Sequence, residues 1–272
     1  MNVKNNRLVF GFALGFFLAS TSYAEDAAQT FKWPKGQKAA ISLSYDDALS
    51  SQLDHVIPTL NKYGLKGTFY LQLNSSTIDQ RLSEWRAAAK KGHELGNHTL
   101  FHQCSKSGPG RDWVEPGRDL DKLTVAQMKD QVLLANTFLY AIDGKRERTF
   151  TAPCIDKNAG GQNYIDAVKS EFVGIKLEGG GVAADMSKFD PYDVGVYFPT
   201  GVTGQQLIDI AKEAAAKGTM ANYTFHGVGG DHLSVTAEAH EEFIKYLAAH
   251  KDIYWVDTFI EEMKYVKTQQ KK

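Results

Sequence analysis

The chain has 272 residues, with 31 lysines and arginines against 32 acids and a formal net charge of −1. So even a balance creates no basic field for nucleic acid, and the length accommodates one large α/β domain or two small ones, either way with a sizeable core. No repeat, linker or low-complexity stretch marks a boundary.

Met1 to Ala24 combines a basic start (Lys4, Arg7), an apolar run from Leu8 to Ala19 and small residues at Ser22 and Ala24. The pattern predicts a secretory signal peptide, residues 1–24, and export to the periplasm or the medium. The apolar run is short for a membrane span, and no later segment approaches one. An N-terminal extension, 25–36, follows. Ala39 to Tyr45 then reads as a strand ending in two acids, Asp46 and Asp47, followed by a helix from Ser51 to Tyr63 that Gly64 ends. Gly67 to Leu71 is β-rich, Leu82 to Lys91 helical, and His93 to Thr99 the next strand. Thr124 to Ile142 is the strongest helix, with Thr124 as cap, Gln127 at the capping-box position and Gly144 past its end. Strands at Arg148–Ala152, Phe172–Ile175 and Val194–Tyr197 precede a helix from Thr203 to Lys217. Strand Met220–His226, helix Thr236–His250, strand Ile253–Val256 and a helix from Asp257 complete the alternation, and residues 263–272, with Lys264, Lys267, Lys271 and Lys272, read as a polar, solvated tail. Strands alternating with helices imply parallel pairing, in a barrel or a doubly wound sheet.

Asp46 and Asp47 can serve one cavity only if the chain leaves the sheet there, because neighbouring strand residues face opposite ways. Taken alone, the pair equally suits a helix N-terminus. His98 and His102, four residues apart, can aim at one ion. With Asp47 they compose a two-histidine, one-carboxylate set for a divalent transition metal, leaving Asp46 free as a base. Other motifs fail: His93-Glu94 lacks the second histidine of a zincin helix, no Gly-x-Ser-x-Gly is present, and the glycine clusters at 179–181 and 227–230 lack phosphate-loop spacing. An iron oxygenase would share the ligand set but not the alternating pattern. His93 reads as a core or supporting group, His55, His240 and His250 as structural or exposed, and His232 as either.

Ser44-Tyr45-Asp46-Asp47, His98-Thr99-Leu100-Phe101-His102 and the late Phe225-His226 resemble, in order, the motifs of polysaccharide deacetylases, the nodulation-protein-B-like domain of carbohydrate esterase family four. The resemblance covers about residues 37–262, which it marks as a single catalytic domain with the fold of a distorted, incomplete (β/α) barrel, its site at the C-terminal mouth of the strands. It implies Asp46 as catalytic base, Asp47, His98 and His102 as ligands of one divalent ion (zinc foremost; cobalt, nickel or manganese otherwise), His226 as general acid and a backbone N–H at Cys154 as oxyanion donor. The expected partner is an acetylated glycan, chitooligosaccharide- or peptidoglycan-like, deacetylated at nitrogen. Alternatives are an O-deacetylase of the acetylxylan esterase kind and a silent glycan-binding relative.

The third motif departs from the family pattern. Phe150-Thr151-Ala152-Pro153-Cys154 places Thr151 at the position of an arginine that orients the base, with Arg148, Lys157 and Lys176 as possible substitutes. Asp193 lies roughly where the family has an acid supporting the late histidine, with Asp185 as runner-up. Cys104 and Cys154 are expected to form a disulfide across the long loop from Gln103 to Leu123, the alternative being two small buried hydrophobes. Trp113 in that loop suits either stacking on a sugar face or packing the loop down.

Overall fold

The computed structural model describes Met1 and residues 31–271; the signal peptide expected at 1–24 lies outside them. The elements run β1 (Ala39–Asp46), a π-helical turn (Gln52–Val56) leading into α1 (Ile57–Tyr63), β2 (Thr68–Leu71), α2 (Ser76–Gln80), α3 (Leu82–Lys90), β3 (Glu94–Asn97), α4 (Val125–Asp143) and β4 (Thr149–Thr151). A small hairpin of β5 (Asn158–Ala159) and β6 (Gln162–Asn163) precedes α5 (Ile165–Val168), β7 (Gly174–Gly179), β8 (Val194–Val196), α6 (Gly204–Lys217), β9 (Met220–Phe225), α7 (Ala237–Ala249), β10 (Tyr254–Trp255) and α8 (Phe259–Gln270). The helix caps fall where the sequence puts them: Thr124 and Thr203 each form a full capping box, with Gln127 and Gln206.

Strands pair in parallel in the order β9-β1-β2-β3-β4-β7-β8, with β10 on the first two residues of β1. The ends then meet: Tyr197 N donates to Asn222 O (2.8 Å) and Thr224 N to Tyr197 O (2.9 Å). Those bonds decide for a nearly closed barrel over an open sheet. On β1 the odd positions Ile41, Leu43 and Tyr45 face the helices in the main apolar cluster, where the rings of Phe69, Tyr45, Phe225 and Tyr223 stack in file at 5.0, 5.4 and 6.0 Å. The even positions face the lumen, since Lys176, across the barrel on β7, hydrogen-bonds Ser42 Oγ (3.2 Å) and Ser44 Oγ. Such alternation follows from the two-residue period of a strand. It places Asp46 at the top of the inward row.

The bottom is closed by α8. Phe259 and Met263 share a buried cluster with Ala40, Tyr70 and Met220, and the helix N-terminus donates from Phe259 N to Thr68 Oγ1 (2.8 Å) and from Ile260 N to Glu94 Oε2 (2.9 Å), a favourable place for a carboxylate. Two sequence boundaries are corrected here. The solvated tail expected from 263 is helical to Gln270, with Met263 and Val266 buried, because apolar residues three apart fall on one inward face. In the described part of the N-terminal extension, Trp33 is buried and its indole N–H reaches Gly218 O at 3.0 Å, so residues 31–36 belong to the domain. No helix among the described residues is long and apolar enough to cross a membrane.

Candidate metal centre

Among the described residues nine non-glycine residues have positive φ, and eight lie in loops that follow strands: Asp47 and Ala48 after β1, Thr99 and His102 after β3, Cys154 and Ile155 after β4, Asp231 and Leu233 after β9. Left-handed backbone is disfavoured for such residues and persists only where its surroundings hold it. Here it collects at the C-terminal mouth of the barrel. At β1 the effect is direct: with φ of 79° at Asp47 the chain leaves the sheet, and both acids turn into one cavity. Thr77 Oγ1 and Ser75 Oγ fix the turn by donating to Ala48 O at 2.6 and 2.9 Å.

Asp47 Oδ1 lies 3.3 Å from both His98 Nε2 and His102 Nε2. The His98 Nδ1–H donates to Thr151 O at 2.7 Å, leaving a bare lone pair on Nε2. The His102 backbone N–H is held by Thr99 Oγ1 at 3.0 Å. Asp47 Oδ1 is buried, and among the described residues it has no geometrically sound hydrogen bond. A buried carboxylate oxygen without a partner is costly, and two imidazole nitrogens converging on it are the donor set a divalent cation completes. The residues therefore fit the ion that the resemblance implies, and the ligand atoms of all three lie within 4.8 Å of one another.

Asp46 adjoins this set, its Oδ2 3.9 Å from His98 Nε2 and its buried Oδ1 likewise without a hydrogen bond among the described residues. Burial pushes its pKa up to about 7, with the His98 and Lys176 charges opposing and that of Asp47 assisting. Burial would raise Asp47 too, but the hydrogen bond from His232 and the adjoining imidazoles of His98 and His102 hold it well below the usual carboxylate range. His226 sits across the cavity, its Nε2 3.9 Å from Asp47 Oδ2, and burial lowers it to about 4. Asp46, Asp47, His98, His102, His226 and His232 line one cavity of about 800 Å³, whose wall also includes Phe101, Trp113, Phe198 and Leu233. Trp113 is exposed in this wall, on the cavity side of its loop.

Cys104 and Cys154 are disulfide-bonded, tying the loop after His102 to the third motif. Cys154 has φ of 56°, and among the described residues its N–H makes no backbone hydrogen bond. Of the three cations considered for the missing arginine, Arg148 is buried against Asp143 (2.6 Å) and Lys157 pairs with Glu178 and Asp193. Lys176 alone acts on Asp46, from inside the lumen; burial lowers its own pKa to about 8. Support for His226 from Asp193 or Asp185 is corrected: Asp193 accepts from Lys157 Nζ at 3.1 Å, Asp185 accepts from Ser187 N at 2.9 Å, and neither lines the cavity that holds His226. The residue that sequence reasoning left open is His232, whose Nε2 lies 2.8 Å from Asp47 Oδ2. His93 and His240 are buried and partnered, by Gly67 N and by Tyr45 OH, as structural groups should be.

The polysaccharide deacetylase family profile matches residues 34–169. Among solved structures, a Mycobacterium smegmatis protein named as a polysaccharide deacetylase superposes with a TM-score of 0.63 at 14% identity, covering 89% of this chain and 94% of that one. The peptidoglycan deacetylase PdaC from Bacillus subtilis gives 0.54 at 20% identity, covering 88% and 96%. BA3943 from Bacillus anthracis, described as a pseudoenzyme of carbohydrate esterase family four, gives 0.53 at 16% identity, covering 84% and 66%. At these identities the likeness is one of fold. The chain spans only 4% and 26% of the curated relatives it matches in sequence.

Proposed function

The chain belongs to the polysaccharide deacetylase family, and from that premise we propose that it is an exported hydrolase that removes acetyl groups from nitrogen on a glycan. The observation that carries this is the pair of buried acids, each with an oxygen that has no hydrogen bond among the described residues: Asp47, whose Oδ1 faces two imidazoles at 3.3 Å, and Asp46, which stands 3.9 Å from one. Asp47, His98 and His102 hold one divalent cation, zinc by the chemistry of the donors. Bound there, the ion supplies Lewis acidity toward the acetyl carbonyl and the attacking water.

Asp46 takes the proton of that water. A carboxylate with a pKa raised to about 7 is matched to this work near neutrality. The Cys154 N–H, free of backbone partners among the described residues and held in place by the disulfide, donates to the oxyanion. The resemblance gives His226 the role of general acid, but burial lowers it to about 4 and leaves it neutral at rest, so that role is revised to an N–H donor for the leaving nitrogen. The proton that makes the amine a competent leaving group comes from Asp46. Trp113 and Phe198 in the cavity wall offer apolar faces to sugar rings.

Acetate release from N-acetylated chitooligosaccharides, with and without chelator, tests the proposal. We expect release to stop on chelation and return with zinc, and Asp46→Asn to lose about 10²–10⁴-fold in rate with zinc retained. Release from acetylxylan alone would move the assignment to O-deacetylation. Zinc-loaded protein that binds glycans and frees no acetate from either would make it a silent relative.

A further inference from the structure

We propose that His232 is a positioning residue for the metal carboxylate, its imidazole N–H on Asp47 Oδ2 keeping Oδ1 turned toward His98 and His102. The inference rests on the metal site just described. The two oxygens of Asp47 are divided: Oδ1 faces the ligand imidazoles at 3.3 Å, and Oδ2 faces His232 Nε2 at 2.8 Å. His226 Nε2 stands 3.9 Å from Oδ2, beyond hydrogen-bond range, so among the described residues His232 is the hydrogen-bond partner of that oxygen. An unrestrained carboxylate can rotate to exchange its oxygens or present both. A donor fixed on one reserves the other.

The loop is built to hold that donor although the His232 side chain is 55% exposed. Gly227 N donates to His232 O (3.0 Å) and Val235 N to Gly227 O (3.1 Å), closing the segment on itself. A side chain at 227 is barred, because its Cβ would lie 2.1 Å from Gly230 O. Asp231 and Leu233, on either side of His232, both adopt positive φ. The Asp231 carboxylate accepts from Ser51 N at 2.8 Å, and Ser51 Oγ accepts from Val228 N at 3.2 Å. The loop is thus moored to the segment that directly follows Asp47, and ring and carboxylate move as one body.

Zinc affinity of wild type, His232→Ala and His232→Gln, measured by competition with a chromophoric chelator, tests this without turnover. Groups that orient metal ligands are worth about 10–100-fold in affinity, so His232→Ala should weaken zinc by that factor. His232→Gln, which can still donate an N–H, should recover most of it, and its cobalt(II) absorption spectrum should overlay the wild type. Wild-type affinity in His232→Ala, to within about twofold, would overturn the positioning role and leave the metal site standing. Equal losses in both variants would also overturn it, making His232 a ligand. Failure of wild type to bind zinc would remove the site itself.

Discussion

Two buried acids at opposite ends of the barrel are treated in opposite ways. Glu94, at the floor, has both oxygens occupied: Thr149 Oγ1 donates to Oε1 at 2.5 Å, and Thr68 Oγ1 and the N-terminus of α8 donate to Oε2 at 2.8 and 2.9 Å. Asp47, at the mouth, keeps an oxygen with no hydrogen-bond donor among the described residues, in backbone that is itself strained. Both acids are desolvated, so burial alone does not tell them apart. The difference lies in what faces each oxygen: saturated, a carboxylate is a joint between strands and a helix; left open opposite two bare imidazole nitrogens, it is a socket for a cation. Lys176 lies between the two ends, and its charge acts on Glu94, Glu262 and Asp46.

The contrast is broken most forcefully by His98→Ala. Removing a ligand should abolish zinc binding, and since the ion supplies several kcal/mol toward the transition state, acetate release should fall by about 10³-fold or more. The fold should survive, because the site is not what closes the barrel. Chelator competition and a urea melt of the same variant check both halves, and retained zinc would dissolve the socket. Glu94→Ala should do the reverse. Three donors lose their acceptor, each orphan costing about 1–3 kcal/mol, so the urea midpoint should drop sharply while zinc affinity of the folded fraction holds. A stable Glu94→Ala that no longer binds zinc would erase the distinction between floor and mouth.

Much of this was legible in the sequence. Two-residue and 3.6-residue periodicity located the strands and helices, and the motif order Asp46-Asp47, His98-His102, His226 located the mouth. The doubt over how consecutive acids share a cavity has a local answer, positive φ at Asp47 and Ala48, which hydropathy patterns do not encode. His232 escaped because its place depends on a loop closing on itself and mooring to Ser51, contacts 177 and 180 residues apart. The spacing of Gly227, Gly229 and Gly230 around it was the one available hint. Lys176 could not be ranked above Arg148 and Lys157 by sequence either, since its nearness to Asp46 depends on strands β1 and β7 facing each other across a lumen. The supposed tail failed for a different reason: a lysine count hid the apolar pair Met263 and Val266, whose spacing was visible all along.

The smallest expected effect concerns a histidine in the wall, which the same contrast classes with Glu94. His240, on α7, is fully buried, its Nε2 2.8 Å from Tyr45 OH and its ring edge-on to Phe225. Burial lowers its pKa to about 3, against about 6.5 in the unfolded chain. Between those values the unfolded state holds a proton that the folded state refuses. The stability owed to neutral His240 is therefore complete above pH 6.5 and is lost as pH falls, by about 1.4 kcal/mol per unit. His240→Gln keeps a hydrogen-bonding group and cannot titrate. Between pH 7 and pH 5 the wild type should lose about 2 kcal/mol more than the variant, read from urea midpoints at both pH values. Parallel losses in the two proteins would mean that His240 accepts its proton while folded, and the wall at Tyr45, one residue from Asp46, would then be as open to protons as the mouth.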